Sequence, residues 1–252
     1  MIGVSCPEFS ANPFEKIMEA VSKEFRHWEI FAEAEHSLPL IWARLNAIKS
    51  NYKMTFSIHS PISDTNLAAL TERMRESSII EMISTAEMAS ETGIKIITVH
   101  PGLSSMSVPG MESKAIEKAK KSMRTLDRTA SEYGVTYAIE NMPSYRPMIG
   151  KTAAELNEII EGTNLSVCFD IGHANTMGQI DEMISAFKDR IVNVHVHDNM
   201  GDDDSHLTVG DGNVDFPKVM EAMSWYKGRY IIESKSLASA VESKRRLSIL
   251  LE

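Results

Sequence analysis

The feature that most constrains this chain is an alternation of short β-branched runs with longer amphipathic segments, repeated eight times. Eight runs have the length and residue types of strands: Ile2–Ser5, Trp28–Phe31, Met54–Ile58, Ile94–Val99, Thr136–Ile139, Ser166–Phe169, Ile191–Val196 and Tyr230–Ile232. The segments that follow them have helical periodicity: Pro13–Phe25, Leu38–Lys49, Leu67–Thr92, Glu112–Tyr133, Thr152–Glu161, Ile180–Asp189, Phe216–Trp225 and Leu237–Leu250. Each unit of the 252-residue chain averages roughly 31 residues, enough for a strand, a loop and a crossover helix.

The repeat predicts an α/β fold, a single (β/α)8 TIM barrel that occupies residues 1–252 as one domain. A doubly wound open sheet is the competing architecture. Its first strand is usually followed by a glycine-rich turn, and Ser5-Cys6-Pro7-Glu8 has no glycine. The barrel is therefore the favoured fold.

Several predicted helix ends carry matching capping signals. Asn12-Pro13 and Asp215 precede helical segments as N-caps, and Gly93 and Gly134 stand where a left-handed C-terminal residue is expected. These signals support the assigned boundaries.

Composition indicates an ordinary globular protein and limits its partners. With 26 basic and 35 acidic side chains the net charge is −9, which argues against non-specific nucleic-acid binding because such binding requires Lys and Arg to replace phosphate counterions. Cys6 and Cys168 are not spaced for a shared metal site or a disulfide framework, so we expect both to be reduced core residues. No apolar run reaches the length of a bilayer-spanning helix. We expect a cytoplasmic protein with no membrane association, either a monomer or a homo-oligomer.

Metal-ligand residue types occur at the ends of six consecutive predicted strands, from the third to the eighth. The catalytic face of a TIM barrel is the one at which strands end, so these side chains should meet at one mouth. They are His59, His100, Glu140, Asp170, His195 with His197, and Glu233.

A divalent metal ion explains why these groups converge. Burying several carboxylates and imidazoles together costs several kcal/mol per uncompensated charge unless a cation neutralises them. Imidazole with carboxylate and no thiolate suits Zn²⁺, Mn²⁺, Fe²⁺ or Co²⁺ better than Mg²⁺ or Ca²⁺. We therefore predict a functional metal site.

The segment after the seventh strand, from His195 to Asp215, is a long loop of the kind that usually carries function. Asp204 and His206 are two residues apart, so in an extended segment both point the same way and can share an ion. His195 and His197 also share one face. The spacing does not decide which of these two is the metal ligand.

Taken in order, the strand-end motifs resemble those of the xylose isomerase-like TIM barrels, the superfamily that joins sugar isomerases and epimerases to apurinic endonucleases of the endonuclease IV type. The resemblance runs from His59 to Glu233 and is weaker in the first two units. The motifs are Val99-His-Pro-Gly102, Ala138-Ile-Glu-Asn141, Cys168-Phe-Asp-Ile-Gly-His173, His195-Val-His-Asp198, Asp204-Ser-His206 with Gly210-Asp-Gly212, and Ile232-Glu233.

The resemblance implies a set of metal ligands. Glu140, Asp170, His195 and Glu233 correspond to the site shared by the isomerases and epimerases, which selects His195 over His197. In the endonuclease branch a second ion adds His59 and His100 with Glu140 as a bridge, and a third uses His173, Asp204 and His206. We expect one to three ions, with zinc or manganese favoured.

The leading functional hypothesis is a divalent-metal-dependent isomerase or epimerase of a small sugar, sugar phosphate or polyol, acting by proton abstraction and a metal-stabilised enediolate. Glu140 and Glu233 are the predicted catalytic residues, and His173 and His197 the predicted substrate-binding residues. Alternatively, the two glutamates are ligands only and a histidine carries the proton.

The alternative function is a multi-zinc phosphodiester hydrolase of the endonuclease IV type that acts on abasic DNA. Its full ligand set is present, but Ser60-Pro61-Ile62 lacks the bulky side chains that those enzymes wedge into a duplex, and the chain is short for that branch. A barrel with a purely structural metal is a third hypothesis, disfavoured because the ligands stand at strand ends.

Overall fold

The structure, a computed structural model that describes residues 1–251, is built on eight parallel strands that close into a barrel in chain order. Strand β1 closes the ring by pairing with β8, with Ser5 beside Glu233. The predicted (β/α)8 barrel is confirmed. The strands are β1 Ile2–Ser5, β2 His27–Phe31, β3 Thr55–His59, β4 Ile96–Val99, β5 Thr136–Glu140, β6 Ser166–Asp170, β7 Ile191–Val196 and β8 Arg229–Glu233.

Nine α-helices lie among the described residues: α1 Phe14–Glu24, α2 Leu38–Ile48, α3 Glu72–Thr92, α4 Glu112–Tyr133, α5 Ala153–Ile160, α6 Ile171–Met177, α7 Ile180–Phe187, α8 Phe216–Ala222 and α9 Leu237–Leu250. Each of the eight predicted helical segments contains one of them, and α6 is additional. Within residues 1–251, no helix is both long and apolar enough to cross a membrane.

Most of the predicted helix ends are confirmed. Gly93 and Gly134 adopt left-handed φ values of 74° and 63° at the ends of α3 and α4, which glycine does without steric cost. Asp215 caps α8 by accepting a hydrogen bond from Lys218 N at 3.2 Å. The Asn12 prediction is wrong: Pro13 is the residue before α1 and makes no side-chain cap.

Helix α3 begins at Glu72, five residues later than the predicted start at Leu67. The reason is Asn66, whose Oδ1 accepts hydrogen bonds from Ala68 N and Leu103 N, both at 2.9 Å. This side chain ties the segment to the β4–α4 loop, so Leu67 is buried in a loop rather than on a helix face.

Helix α6 was missed because its short sequence has no apolar periodicity. Its start is a side-chain cap: Asp170 Oδ1 accepts the amide of His173 at 2.6 Å. Gly178 ends it with a φ of 60°. The short helix directly after β6 therefore places Asp170 and His173 at the barrel mouth.

The barrel interior is polar beneath that mouth. Along β2 the side chains alternate, so that Trp28 stacks outward on Phe14 with ring centroids 5.4 Å apart while Glu29 lies inside. Fully buried polar side chains from other strands surround it, namely Ser57, Thr98 and Asn193. The apolar core lies between barrel and helices, and the polar interior faces the site.

Candidate metal centre

The predicted strand-end ligands gather at the C-terminal mouth of the barrel in three adjoining groups. Within each group the ligand atoms lie within 4.8 Å of one another. The first group is His59, His100 and Glu140; the second is Glu140, Asp170, His195 and Glu233; the third is His173, His197, Asp204 and His206. All nine predicted ligand residues are brought together, and His197 joins them.

The first group joins the ends of β3, β4 and β5. His59 Nε2 and His100 Nε2 lie 3.4 and 3.0 Å from Glu140 Oε2. The ring of Phe31 packs on His59 with centroids 4.9 Å apart, and the His59 backbone oxygen accepts a hydrogen bond from Ala32 N at 3.0 Å. The packing fixes the imidazole so that it faces the carboxylate.

The second group lies around His195 Nδ1, at the centre of the mouth. This nitrogen is 2.8 Å from Glu140 Oε1, 3.2 Å from Glu233 Oε1 and 3.8 Å from Asp170 Oδ2. Three carboxylates from β5, β6 and β8 thus converge on one imidazole nitrogen. Glu140 faces the first group with one oxygen and the second group with the other, which is the bridging arrangement that the resemblance implies.

The third group is built around Asp204 on the long β7–α8 loop. His173 Nε2 lies 3.3 Å from Asp204 Oδ2, and His206 Nε2 lies 3.2 Å from Oδ1. His197 Nε2 is 3.3 Å from the same Oδ1. The acidic run at 202–204 is therefore divided, since Asp204 faces the site while Asp202 and Asp203 are exposed.

His195 and His197, which the spacing could not separate, occupy different groups. The His197 ring stacks on His206, with centroids 4.2 Å apart and planes 7° from parallel. It also lies against Gly172, where a Cβ would stand 2.1 Å from His197 Cε1. Glycine at this position is what gives the His197 ring its space.

Asp198 holds the β7–α8 loop in place. Its Oδ1 accepts the amides of Asn199 and Val214 at 2.9 and 3.1 Å, and its Oδ2 accepts those of Gly210 and Gly212, both at 2.9 Å. A fully buried carboxylate is thereby compensated by four backbone donors. The loop that carries Asp204 and His206 is consequently fastened at both of its ends.

The hydrogen bonding of these residues fits a bound cation. Glu140 Oε2, Asp170 Oδ2 and Asp204 Oδ1 are buried and have no hydrogen-bond partner among the described residues. Leaving such oxygens unpaired is costly in a low-dielectric interior. Each of the three groups contains one of these oxygens beside imidazole nitrogens, so the donor set matches a metal such as zinc, which takes nitrogen and oxygen ligands.

Mutual attraction keeps these groups ionised in the metal-free protein. Burial raises the pKa of Glu140, but the nearby His195 and His100 outweigh it and hold that pKa well below its usual value. Burial lowers the pKa of His195, but the surrounding negative charges, Glu233 and Glu140 among them, raise it well above normal. The Glu140 carboxylate is thus ready to bind a cation.

Cys168 also lies beside Glu140 and His195, although the sequence indicates a core residue. Burial raises the pKa of its thiol, and it is the thiolate that binds metals. Cys168 and Cys6 are both buried and free of disulfide bonds. We therefore leave Cys168 out of the candidate ligand set.

Sequence reasoning missed Glu29, a fully buried carboxylate inside the barrel. Its Oε1 accepts a hydrogen bond from His195 Nε2 at 2.6 Å. The alternation within His27–Phe31 was the only available signal, because it places Glu29 on the face opposite Trp28. That signal does not separate a carboxylate inside the barrel from one on its surface.

Comparison with known proteins identifies the protein family to which this chain belongs. Residues 17–249 match the model of the family described as xylose isomerase-like TIM barrel. The chain belongs to that family, as the strand-end motifs indicate.

Two relatives illustrate the sequence similarity. An uncharacterised protein of Methanocaldococcus jannaschii is 34% identical over 258 residues, covering 99% of this chain and 87% of its own length. A protein named probable endonuclease 4 from Aquifex aeolicus is 27% identical over 188 residues, covering 65% of this chain and 64% of its own.

Solved structures give the same fold. One described as a D-tagatose 3-epimerase-like protein is 32% identical, with a TM-score of 0.93 and coverage of 99% of this chain and 96% of that one. Endonuclease IV from Thermus thermophilus is 20% identical, with a TM-score of 0.73 and coverage of 99% and 98%. The second similarity concerns the fold alone.

Proposed function

We propose that this protein is a divalent-metal-dependent isomerase or epimerase of a small sugar, sugar phosphate or polyol. The observation that carries the proposal is the second group, in which Glu140 and Glu233 approach the same His195 nitrogen from β5 and β8, at 2.8 and 3.2 Å. The overall similarity to the D-tagatose 3-epimerase-like structure supports the same choice.

In this proposal Glu140, Asp170, His195 and Glu233 hold a zinc or manganese ion. The chemistry that such an ion supplies is Lewis-acid polarisation of a carbonyl and its neighbouring hydroxyl, which acidifies the C–H between them. Glu140 and Glu233 are the two carboxylates placed to remove that proton and return it. His173 and His197, both buried beside Asp204, are the proposed contacts to the substrate.

The test is deuterium exchange. The metal-loaded protein is incubated in D2O with a panel of ketoses, aldoses and their phosphates, and the hydrogen next to the carbonyl is followed by NMR. We expect deuterium to enter one substrate class at that carbon. Absence of exchange across the whole panel, together with incision of abasic DNA, would overturn the proposal.

A phosphodiester hydrolase is the second candidate because the first and third groups are also complete. A one-ion isomerase has no need of His59 and His100, whereas a multi-ion hydrolase uses a cluster to activate water and neutralise the leaving oxygen. Several relatives are named probable endonuclease 4. The net charge of −9 and the segment 60–62, where Ser60 is buried, argue against a DNA-wedging surface.

Two measurements separate these candidates. The first titrates an abasic-site duplex against an intact one at about 150 mM salt, a physiological ionic strength, with incision followed in parallel. The second replaces His59 and His100 together by Ala, counts the bound ions and measures both activities. Retained sugar exchange with weak DNA binding supports the isomerase, and tight lesion-selective binding with cleavage supports the hydrolase.

A further inference from the structure

Glu29 is saturated by hydrogen bonds from three other strands. Its Oε1 accepts from His195 Nε2 at 2.6 Å and from Thr98 Oγ1 at 3.2 Å. Its Oε2 accepts from Ser57 Oγ at 2.6 Å and from Asn193 Nδ2 at 2.8 Å. An ionised carboxylate has about four acceptor sites, so this one is fully used and held in a single orientation.

This arrangement decides which nitrogen of His195 carries a proton. An ionised carboxylate can only accept hydrogen bonds, so His195 Nε2 must be the donor. In neutral imidazole the other nitrogen then has the free lone pair. That other nitrogen is Nδ1, which faces Glu140 and Glu233.

The buried charge of Glu29 has no lysine or arginine partner among the described residues. Its one ion-pair partner there is His195, and a histidine that binds a metal ion through Nδ1 is a neutral imidazole. Desolvating a carboxylate in a barrel interior costs several kcal/mol. A cation on the far side of His195 would compensate that charge.

We propose that Glu29 is a positioning residue for the second group: through His195 Nε2 it fixes the tautomer and the ring orientation, so that Nδ1 is presented to a metal ion between Glu140, Asp170 and Glu233. Glu29 contacts neither metal nor substrate. A carboxylate behind a histidine ligand is a general means of raising metal affinity. The inference rests on the metal centre of the proposed function and is independent of the reaction.

The first test measures zinc binding by Glu29→Gln in competition with a chromophoric chelator, with ions counted by mass spectrometry. We expect zinc affinity at the second group to fall 10- to 100-fold, the usual effect of losing such a partner, so that one ion per chain is released before the others. Glu155→Gln is the matched control, because that carboxylate accepts a hydrogen bond from Lys151 N at 2.8 Å and belongs to none of the three groups. The zinc affinity of this control variant should stay within about twofold of the wild-type value. Wild-type affinity and ion count in folded Glu29→Gln would overturn the proposal.

A second measurement needs no variant and remains decisive if Glu29→Gln fails to fold. In zinc-loaded wild-type protein with ¹⁵N-labelled histidine, NMR should show His195 protonated at Nε2 and metal-bound at Nδ1. A proton on Nδ1 would overturn the proposal. Wild-type protein that binds zinc in this way but exchanges no sugar hydrogen would contradict the proposed reaction and leave the role of Glu29 standing.

Discussion

Glu233 is the most accessible carboxylate of the second group. The residue keeps 6% exposure, whereas Glu140 and Asp170 are fully buried. A base must reach the substrate proton within hydrogen-bonding distance, and Glu233 meets that condition more readily than the other two carboxylates. Glu233 is therefore the side chain from which we expect the largest separation between metal binding and turnover.

We predict that Glu233→Gln lowers turnover by about 10²- to 10⁴-fold, the contribution of a general base, and keeps most of its bound metal. Glu140→Gln should lose both turnover and ions, because Glu140 belongs to more than one group. The measurements are sugar deuterium exchange and ion counting on variants shown to be folded by circular dichroism. Near-wild-type turnover in either variant would remove its assigned role.

His27, at the opposite end of the barrel, makes stability depend on pH. It is fully buried, and its ring nitrogens bond Thr55 Oγ1 at 2.8 Å and Ser57 Oγ at 2.9 Å. Burial and the charge of Arg229 lower the pKa of His27 to about 4. Below an unfolded-state value of about 6.5, the unfolded chain binds a proton that the folded chain does not, so stability falls as pH falls.

We predict that wild-type protein loses about 3 kcal/mol more unfolding free energy than His27→Gln between pH 7 and pH 4, the size of the pKa difference. Urea unfolding at several pH values measures it. The difference between the two proteins isolates His27 from the other groups that titrate in this range. Parallel pH profiles for both would contradict the assignment.

At the residue scale, the sequence predicted which side chains meet at the barrel mouth but not the residues that support them. His59, Glu140 and Glu233 end strands, and strand ends form the catalytic face of this fold, so residue type and position were sufficient. Glu29 and Asn193 lie within strands, where a polar residue has the same pattern inside the barrel as outside it. Only the closed barrel shows that they point inward.

At the scale of secondary-structure elements, helix ends were predicted well where residues next to the boundary determine it. Gly93 and Gly134 end α3 and α4 in the left-handed conformation, which single residues encode. The start of α3 depends instead on Asn66 bonding Leu103 N, 37 residues away. A tertiary contact of that kind has no local signature. Helix α6 escaped prediction for another reason, since its seven residues are too few to show a period.

The β7–α8 loop gives a prediction for an element. In Asp198→Asn, an amide group replaces one carboxylate oxygen, so two of the four backbone donors lose their acceptor. Each buried donor left unpaired costs about 1–3 kcal/mol. We expect amide hydrogen exchange to rise at least about tenfold, the factor that 1.4 kcal/mol represents, at one of the two pairs of amides, Gly210 with Gly212 or Asn199 with Val214.

The exchange rates are measured by hydrogen–deuterium exchange NMR on zinc-loaded protein. Asp202→Asn is the control, since Asp202 is exposed in the same loop and should leave these amides protected. Unchanged protection in Asp198→Asn would show that the loop is held by other contacts, such as the Asp198–Leu207 backbone pairing.

For the whole molecule, metal removal should weaken the barrel without opening it. The strand pairing of the closed sheet and the apolar core around it do not involve the side chains of the metal ligands. The three groups, however, contain four buried or partly buried carboxylates, whose charges a bound cation would neutralise. A ligand present at a thousand times its Kd stabilises a protein by about 4 kcal/mol. For a chain of this size that corresponds to roughly 10 °C in Tm.

We therefore predict that exhaustive chelation lowers Tm by about 10 °C, keeps the far-ultraviolet circular dichroism, and is reversed by adding zinc or manganese. Differential scanning calorimetry with and without chelator is the measurement. A Tm unaffected by chelation would contradict metal binding, and loss of the folded spectrum would mean that the metal is structural.

The position of Glu140 between the first and second groups affects how the metal content of the protein depends on the concentration of free metal. If the first and second groups each bind an ion, the shared carboxylate would make their occupancies interdependent, and thermodynamic reciprocity requires each ion to change the affinity of the other by the same factor. Metal content is then a joint property of the pair. Plotted against free metal concentration, metal occupancy would rise more steeply than for independent sites if the shared carboxylate favours the second ion. It would rise more gradually if the shared carboxylate penalises that ion.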